Sequence, residues 1–227
     1  MGPASTVRLT RRLAVAALLV LFPLLSGCQI VIGVLQMVQG KPEVPAHFHQ
    51  KTGRRLEEKN KRVLVLSFAD SPALSEHPSL PVETVQLVSS KLRVKGITTV
   101  DSQVATRFME SGETFDFSTD YAPIGEKYEA DFVVVIGYEN FSTRQENSTG
   151  LYRGTARARI QVFELTGQEG DKVARRLYSK GHDSRYPAHT PLETDSMNPD
   201  LFLHKFMDTL TEELARHFYD HPPGVDI

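Results

Sequence analysis

Chemistry in this chain has few candidate residues. Cys28 is the sole cysteine, so its thiol has no partner for an intrachain disulfide and is open to covalent modification instead. His217 and His221 are four apart with Asp220 beside the second, a spacing that sets two imidazoles on one helix face as metal ligands. His47 and His49 share a side if the backbone there is extended. Neither pair has a third ligand at a predictable spacing, so solvated histidines and no metal site are expected. Arg153, Arg157 and Arg159 fall on one face of an alternating segment. Bidentate donors on a rigid face suit an acidic partner or an anionic polymer. The alternative is a solvated face balanced by Glu164 and Glu169, with arginine stems lying over apolar surface.

Catalytic constellations do not emerge. Gly167 and Gly170 fall in a hairpin turn rather than between a strand and a helix, which is where a phosphate loop works. No Gly-x-Ser-x-Gly elbow occurs. The acid pairs Glu57–Glu58 and Glu212–Glu213 lie on polar, helix-like faces where solvation explains them. No enzymatic activity is expected. The formal charge of -2 lacks the strong basic field of a general nucleic-acid binder, so no nucleic-acid partner is expected either.

The segment that positions Cys28 is the most informative in the chain. Arg8, Arg11 and Arg12 form a basic end with no acid before them, and an apolar run from Leu13 to Leu25 follows, interrupted by Pro23. Small residues, Ser26 and Gly27, then precede the cysteine. This is the order of a secretory signal, with small side chains where a peptidase must fit. Apolar character resumes from Ile30 to Val38, and Leu13 to Val38 is long enough to cross a bilayer as one uncleaved helix. Both readings place Gly40 onward outside the cytoplasm, because the arginines favour a cytoplasmic start.

Leu25-Ser26-Gly27-Cys28 resembles the lipobox of bacterial lipoproteins. The resemblance implies cleavage between Gly27 and Cys28 and a diacylglyceryl group on the Cys28 sulfur, the one covalent addition expected in a chain with no other cofactor. It also implies a membrane partner through that anchor, in the bacterial envelope. Gln29 after the cysteine resembles outer-membrane lipoproteins and favours the periplasmic face of that membrane. Loss of residues 1–27 removes three arginines and no acid, leaving 23 basic against 28 acidic residues.

The rest of the chain reads as one domain. The boundaries expected are a signal peptide at 1–27, a lipidated stub and linker at 28–61, a globular domain at 62–221 and a tail at 222–227. Pro42, Pro45 and Gly53 in polar surroundings suggest the linker. Arg62 to Phe68 is a short apolar run, as in a strand buried on both faces. A loop follows, then a helix with Pro81 in its first turn and Val85, Val88 and Leu92 on one face, ending at Gly96. Ile97 to Val100 suggests a second strand, and Asp101 or Ser102 can cap a helix carrying Val104, Ala105, Phe108 and Met109. A short helix at Pro123 to Ala130 leads into the strand Phe132 to Tyr138, and Asn140 to Gly150 reads as a hairpin loop. The return strand alternates, with Tyr152, Ala156, Ala158, Ile160 and Val162 on the face opposite the arginines. A third strand spans about Val173 to Ser184. Asn198-Pro199-Asp200 then starts a helix striped by Phe202, Leu203, Phe206, Met207, Leu210, Leu214 and Phe218. The order β-α-β-α-α-β-β-β-α implies an α/β (α+β) domain, a mixed sheet of about five strands with helices packed on it.

Three segments carry a wider resemblance: Arg62 to Phe68, then Gly125 to Gly137 with its helix-Ala-Asp-strand-Gly order, then Ala156 to Leu165 running into Thr166-Gly167. Together they resemble envelope proteins of the curli-secretion-channel and TolB amino-terminal type, which include lipoprotein activators of penicillin-binding proteins. The resemblance covers Arg62 to His221 and implies a non-catalytic module working through an envelope protein partner. An oligomeric structural subunit of an envelope secretion or assembly complex is the alternative. The long alternating hairpins of a transmembrane pore have no counterpart here beyond Phe132 to Leu165.

Overall fold

A strand that is apolar at every position needs cover on both faces, and the sheet is built to supply it at one end only. The computed structural model describes residues 43–168 and 170–223; Gly27, Cys28 and the leader lie outside the described residues. The folded unit runs from Val44 to His221. Its elements are α1 (His47–Thr52), β1 (Val63–Ala69), α2 (Ser71–Glu76), α3 (Leu80–Val94), α4 (Ser102–Glu110), α5 (Ala122–Lys127), β2 (Phe132–Arg144), β3 (Leu151–Thr166), β4 (Val173–Tyr186), β5 (Leu192–Glu193) and α6 (Pro199–Arg216).

The sheet is mixed and five-stranded, as expected, in the order β1-β2-β3-β4, with β5 paired to the start of β3. β1 and β2 are parallel, from Val63 opposite Phe132 to Ala69 opposite Tyr138. β2, β3 and β4 form an antiparallel meander. Val63 to Leu66 and Phe132 to Tyr138 are buried without alternation. Covered on both faces, these strands have no solvated side on which a polar residue would be favoured. β3 changes character along its length. Tyr152 to Arg159 alternate between buried and half-buried or exposed, whereas Ile160 to Leu165 are all buried.

α6 and α3 cover the helix-bearing face. Asn198 caps α6 by accepting from the Asp200 N–H at 2.8 Å and the Leu201 N–H at 3.3 Å, and Pro199 takes the first turn. Both features satisfy donors that a helix start leaves open. Phe202, Phe206, Leu210 and Leu214 are fully buried along its stripe. Phe206 lies so close to β3 that a Cβ at Gly154 would overlap its ring. Tyr152 stacks on Phe202 at 4.8 Å between ring centroids.

Four features of the fold differ from the pattern expected of the sequence. Residues 44–61 belong to the folded unit rather than to a linker. Phe48 and Leu56 are fully buried there, and Phe48 packs against Tyr178 and Phe218 at 5.6 and 6.0 Å. Val44 and His221 exchange backbone hydrogen bonds of 2.7 and 3.1 Å, and the Phe48 N–H donates to the His217 carbonyl at 2.9 Å. Two isolated apolar side chains in polar sequence leave no periodic signal, yet each drives burial of its surroundings. Second, Ile97 to Val100 forms a single bridge, Val63 with Thr99, and β5 supplies the fifth strand. Third, Ser71 to Glu76, within the expected loop, is helical with Pro72 in its first turn. Fourth, β2 continues through Arg144, absorbing irregularities between Tyr138 and Asn140 and between Ser142 and Arg144, so the hairpin loop is shorter than expected.

Candidate functional site

Where the second layer of cover stops, the outer face of the sheet is open, and the three predicted arginines stand on that part of β3. Arg157 and Arg159 are exposed and Arg153 is half-buried. The alternation that places them together follows from strand geometry: Gly154, Ala156 and Ala158 are buried on the opposite face, and Thr155 shares the arginine side. Each has a different neighbour. Arg157 Nε donates to Asp183 on β4 at 2.9 Å. Arg159 donates to Glu139, at the irregularity in β2, at 2.9 Å, and its guanidinium lies 5.5 Å from the Phe117 ring centre. Arg153 donates to the His189 carbonyl, while its Nε is buried with no hydrogen-bond partner.

The charge balance of this face differs from expectation. Glu164 pairs instead with Arg54 at 2.9 Å and Arg175 at 3.1 Å, away from the stripe. Glu169 lies outside the described residues. Asp183 and Glu139 are the partners, and sequence periodicity had no means of identifying them across strands. Hydrogen bonding to Asp183, reinforced by its charge, raises the Arg157 pKa above its ordinary value. Arg157 and Asp183 are 64% and 76% exposed, so their pair is solvated and screened and contributes little to stability.

Two adjoining depressions lie here. The larger, about 610 Å³, is lined by Asn140, Thr155, Arg157, Asp183 and Arg185 among others. The smaller, about 270 Å³, shares Asn140, Thr155 and Arg185 and adds Arg144, Arg153 and Gln145. Arg185 has no carboxylate partner among the described residues. Arg144 donates to the Thr149 carbonyl at 2.9 Å and covers the Tyr152 ring at 4.6 Å. The result is a shallow, polar, arginine-bordered concavity on a rigid sheet.

The histidines are not solvated as expected. His217, one residue beyond α6, is 1% exposed. Its Nδ1 lies 3.1 Å from the Tyr178 hydroxyl and its Nε2 3.5 Å from His182 Nδ1. His47 Nδ1 meets the same hydroxyl at 2.7 Å. Burial, then the positive fields of His182, His47 and Lys180, lower the His217 pKa to about 3, so it is neutral at any physiological pH. Asp220 has other partners. It accepts from the Ala46 N–H at 2.9 Å and pairs with Arg55 at 3.1 Å. Burial opposes its charge, but these two donors outweigh that and hold its pKa below the usual value.

One Ser–His–Glu group does occur, without the geometry of a nucleophile. Ser79 Oγ donates to Glu83 at 2.6 Å and lies 3.4 Å from His77 Nε2, the same nitrogen that faces Glu83 at 3.1 Å. A hydrolase needs the carboxylate on the far nitrogen, leaving the near one to take the serine proton. Here the carboxylate competes for that proton directly.

No protein-family model and no curated protein matches the chain. Among solved structures it is similar to lipoprotein GNA1162 from Neisseria meningitidis, at 15% identity over 68% of this chain and 98% of that one, with a TM-score of 0.41. It is also similar to the hypothetical protein CT253 from Chlamydia trachomatis, at 15% identity, 70% and 97% coverage and a TM-score of 0.40. A third is the PelC dodecamer from Paraburkholderia phytofirmans, at 10% identity, 79% and 98% coverage and a TM-score of 0.42.

Proposed function

We propose that this chain is an exported bacterial lipoprotein, anchored through Cys28 to the envelope, whose α/β domain is a non-catalytic binding or assembly module. One observation carries the reading: the lone cysteine follows a basic end, an apolar run and two small residues, and all of this precedes the folded unit that starts at Val44. Among the described residues no helix is long and apolar enough to cross a membrane. The basic, apolar, small-residue and cysteine order of the leader supports attachment there. Gln29 directs the anchored protein to the periplasmic face of the outer membrane. The arginine-bordered concavity and the 145–150 loop form the surface offered to an envelope protein partner with acidic groups. Its arginines keep solvated partners, and a shallow rigid face suits docking rather than the enclosure of a small substrate.

Intact-mass spectrometry of the protein purified from its native membrane tests the anchor. The expected mass is that of a chain starting at Cys28 and carrying a diacylglyceryl group, with Cys28→Ser abolishing both cleavage and membrane retention. A free thiol together with the original initiating methionine would overturn the reading. For the surface, replacing Arg153, Arg157 and Arg159 by Ser should abolish crosslinks to the partner in intact cells. Unchanged crosslinks remove that face from the proposal.

A further inference from the structure

Five polar side chains from three parts of the fold form an unbroken line through the domain: His47 on α1, Tyr178 on β4, His217 after α6, His182 on β4 and Glu213 on α6. The successive separations are 2.7, 3.1, 3.5 and 3.2 Å. The middle of the line is dry: Tyr178, His182 and His217 are 4%, 5% and 1% exposed. Its ends reach towards water, because His47 is only half-buried and the Glu213 side chain is 18% exposed.

Donor and acceptor counting fixes the direction of every bond. An ionised carboxylate only accepts, so His182 Nε2–H donates to Glu213. Neutral His182 then has an unprotonated Nδ1, which accepts from His217 Nε2–H. Neutral His217 in turn offers an unprotonated Nδ1, to which the Tyr178 hydroxyl donates. The Tyr178 oxygen is left to accept, so His47 carries its proton on Nδ1 and exposes a lone pair at Nε2. One charge at Glu213 thus sets three imidazole tautomers and one hydroxyl rotor.

We infer that this line is a proton-binding relay, loaded at His47 and storing its proton on His182 beside Glu213. A proton adds to His47 Nε2 as the His47 Nδ1–H bond breaks and its proton forms a new O–H on Tyr178. The original Tyr178 proton passes to His217 Nδ1. The His217 Nε2 proton passes to His182 Nδ1. One proton has been gained, His47, Tyr178 and His217 end neutral, and His182 is an imidazolium paired with the Glu213 carboxylate. Loss of the proton runs the same steps backwards.

The surroundings agree with storage at the Glu213 end. Burial together with Lys180 and Lys51 lowers the His47 pKa, and burial with the neighbouring histidines and Lys180 lowers that of His217. The titratable groups facing the relay from neighbouring elements are Lys51 from α1, Lys180 from β4, Glu213 from α6 and His221 from the segment after it. Glu213 is the one anion of that set. Charge therefore settles at His182, and the intervening residues carry the proton without holding it.

Long-range 1H–15N correlation of the full-length chain, labelled on histidine nitrogen, tests this. At about pH 7.5 the expected tautomers are Nδ1–H for His47 and Nε2–H for both His217 and His182. On acidification, proton uptake by the line is expected to switch His217 from Nε2–H to Nδ1–H while it stays neutral. Tyr178→Phe should return His47 to Nε2–H and uncouple it from the His217 switch, and Glu213→Gln should leave His217 as a mixture of both forms. An Nδ1–H form of His217 at the higher pH, no switch on acidification, or a His47 tautomer indifferent to Tyr178→Phe would each overturn the relay. The wild-type spectra decide the matter even if a variant does not fold.

Discussion

Phe48→Ala separates a folded N-terminal segment from a tether. The side chain is fully buried, and its ring meets Phe132, Tyr178 and Phe218 at centroid distances of 6.5, 5.6 and 6.0 Å. Truncating a buried Phe costs about 3–5 kcal/mol in lost transfer energy and cavity formation. The first two contacts are edge-on, a geometry that adds to the cost of plain area, and this places the expectation near the upper half of that range. With a urea slope of about 2 kcal/mol per molar, the unfolding midpoint should fall by roughly 2 M. Equilibrium urea denaturation followed by tyrosine fluorescence and far-ultraviolet circular dichroism reads this directly. Val94→Ala, at a side chain 81% exposed, is the control and should move stability by less than about 0.5 kcal/mol. If Phe48→Ala behaves like that control, residues 44–61 do not belong to the cooperative unit.

Gly154→Ala places a methyl group into the Phe206 ring and should destabilise by about 1–3 kcal/mol, seen as a lower thermal midpoint; an unchanged midpoint would show that α6 can shift at no cost. Asn198→Ala removes the acceptor for two N–H groups at the start of α6 and should cost about 1 kcal/mol in the same measurement, with Asn198→Gly costing only a fraction of that. Asp220 has a folded pKa below its unfolded value, so its contribution is present above the unfolded pKa and is lost as pH falls through the lower folded one. The difference in stability between wild type and Asp220→Asn should therefore be full near neutrality and shrink below about pH 4, and a difference independent of pH would refute the assignment.

Much of the domain was legible because its elements repeat their signals. β1 and the first half of β2 are unbroken apolar runs, β3 alternates over eight residues, and α6 announces itself through Asn198, Pro199 and its aromatic stripe. Elements with one anchoring side chain were not legible. α1 depends on Phe48 alone, and the two-residue β5 depends on the backbone of β3. The arginine stripe was visible as a pattern, but its partners Asp183 and Glu139 come from neighbouring strands whose register is set by irregularities that no local propensity encodes. The same limit applied to the histidines. His217 was noticed for a helical spacing to His221, whereas its real neighbours, Tyr178 and His182, become close only when β4 lies against α6.

The stitching of Val44 to His221 has a mechanical consequence. The polypeptide enters and leaves the folded body at one paired seam, so tension arriving along the N-terminal chain first meets two short hydrogen bonds and the Ala46–Asp220 contact. Behind that seam, Phe48 fastens α1 to β2, β4 and the end of α6 at once. A pull along the N-terminal chain is thereby spread over several elements at a single point.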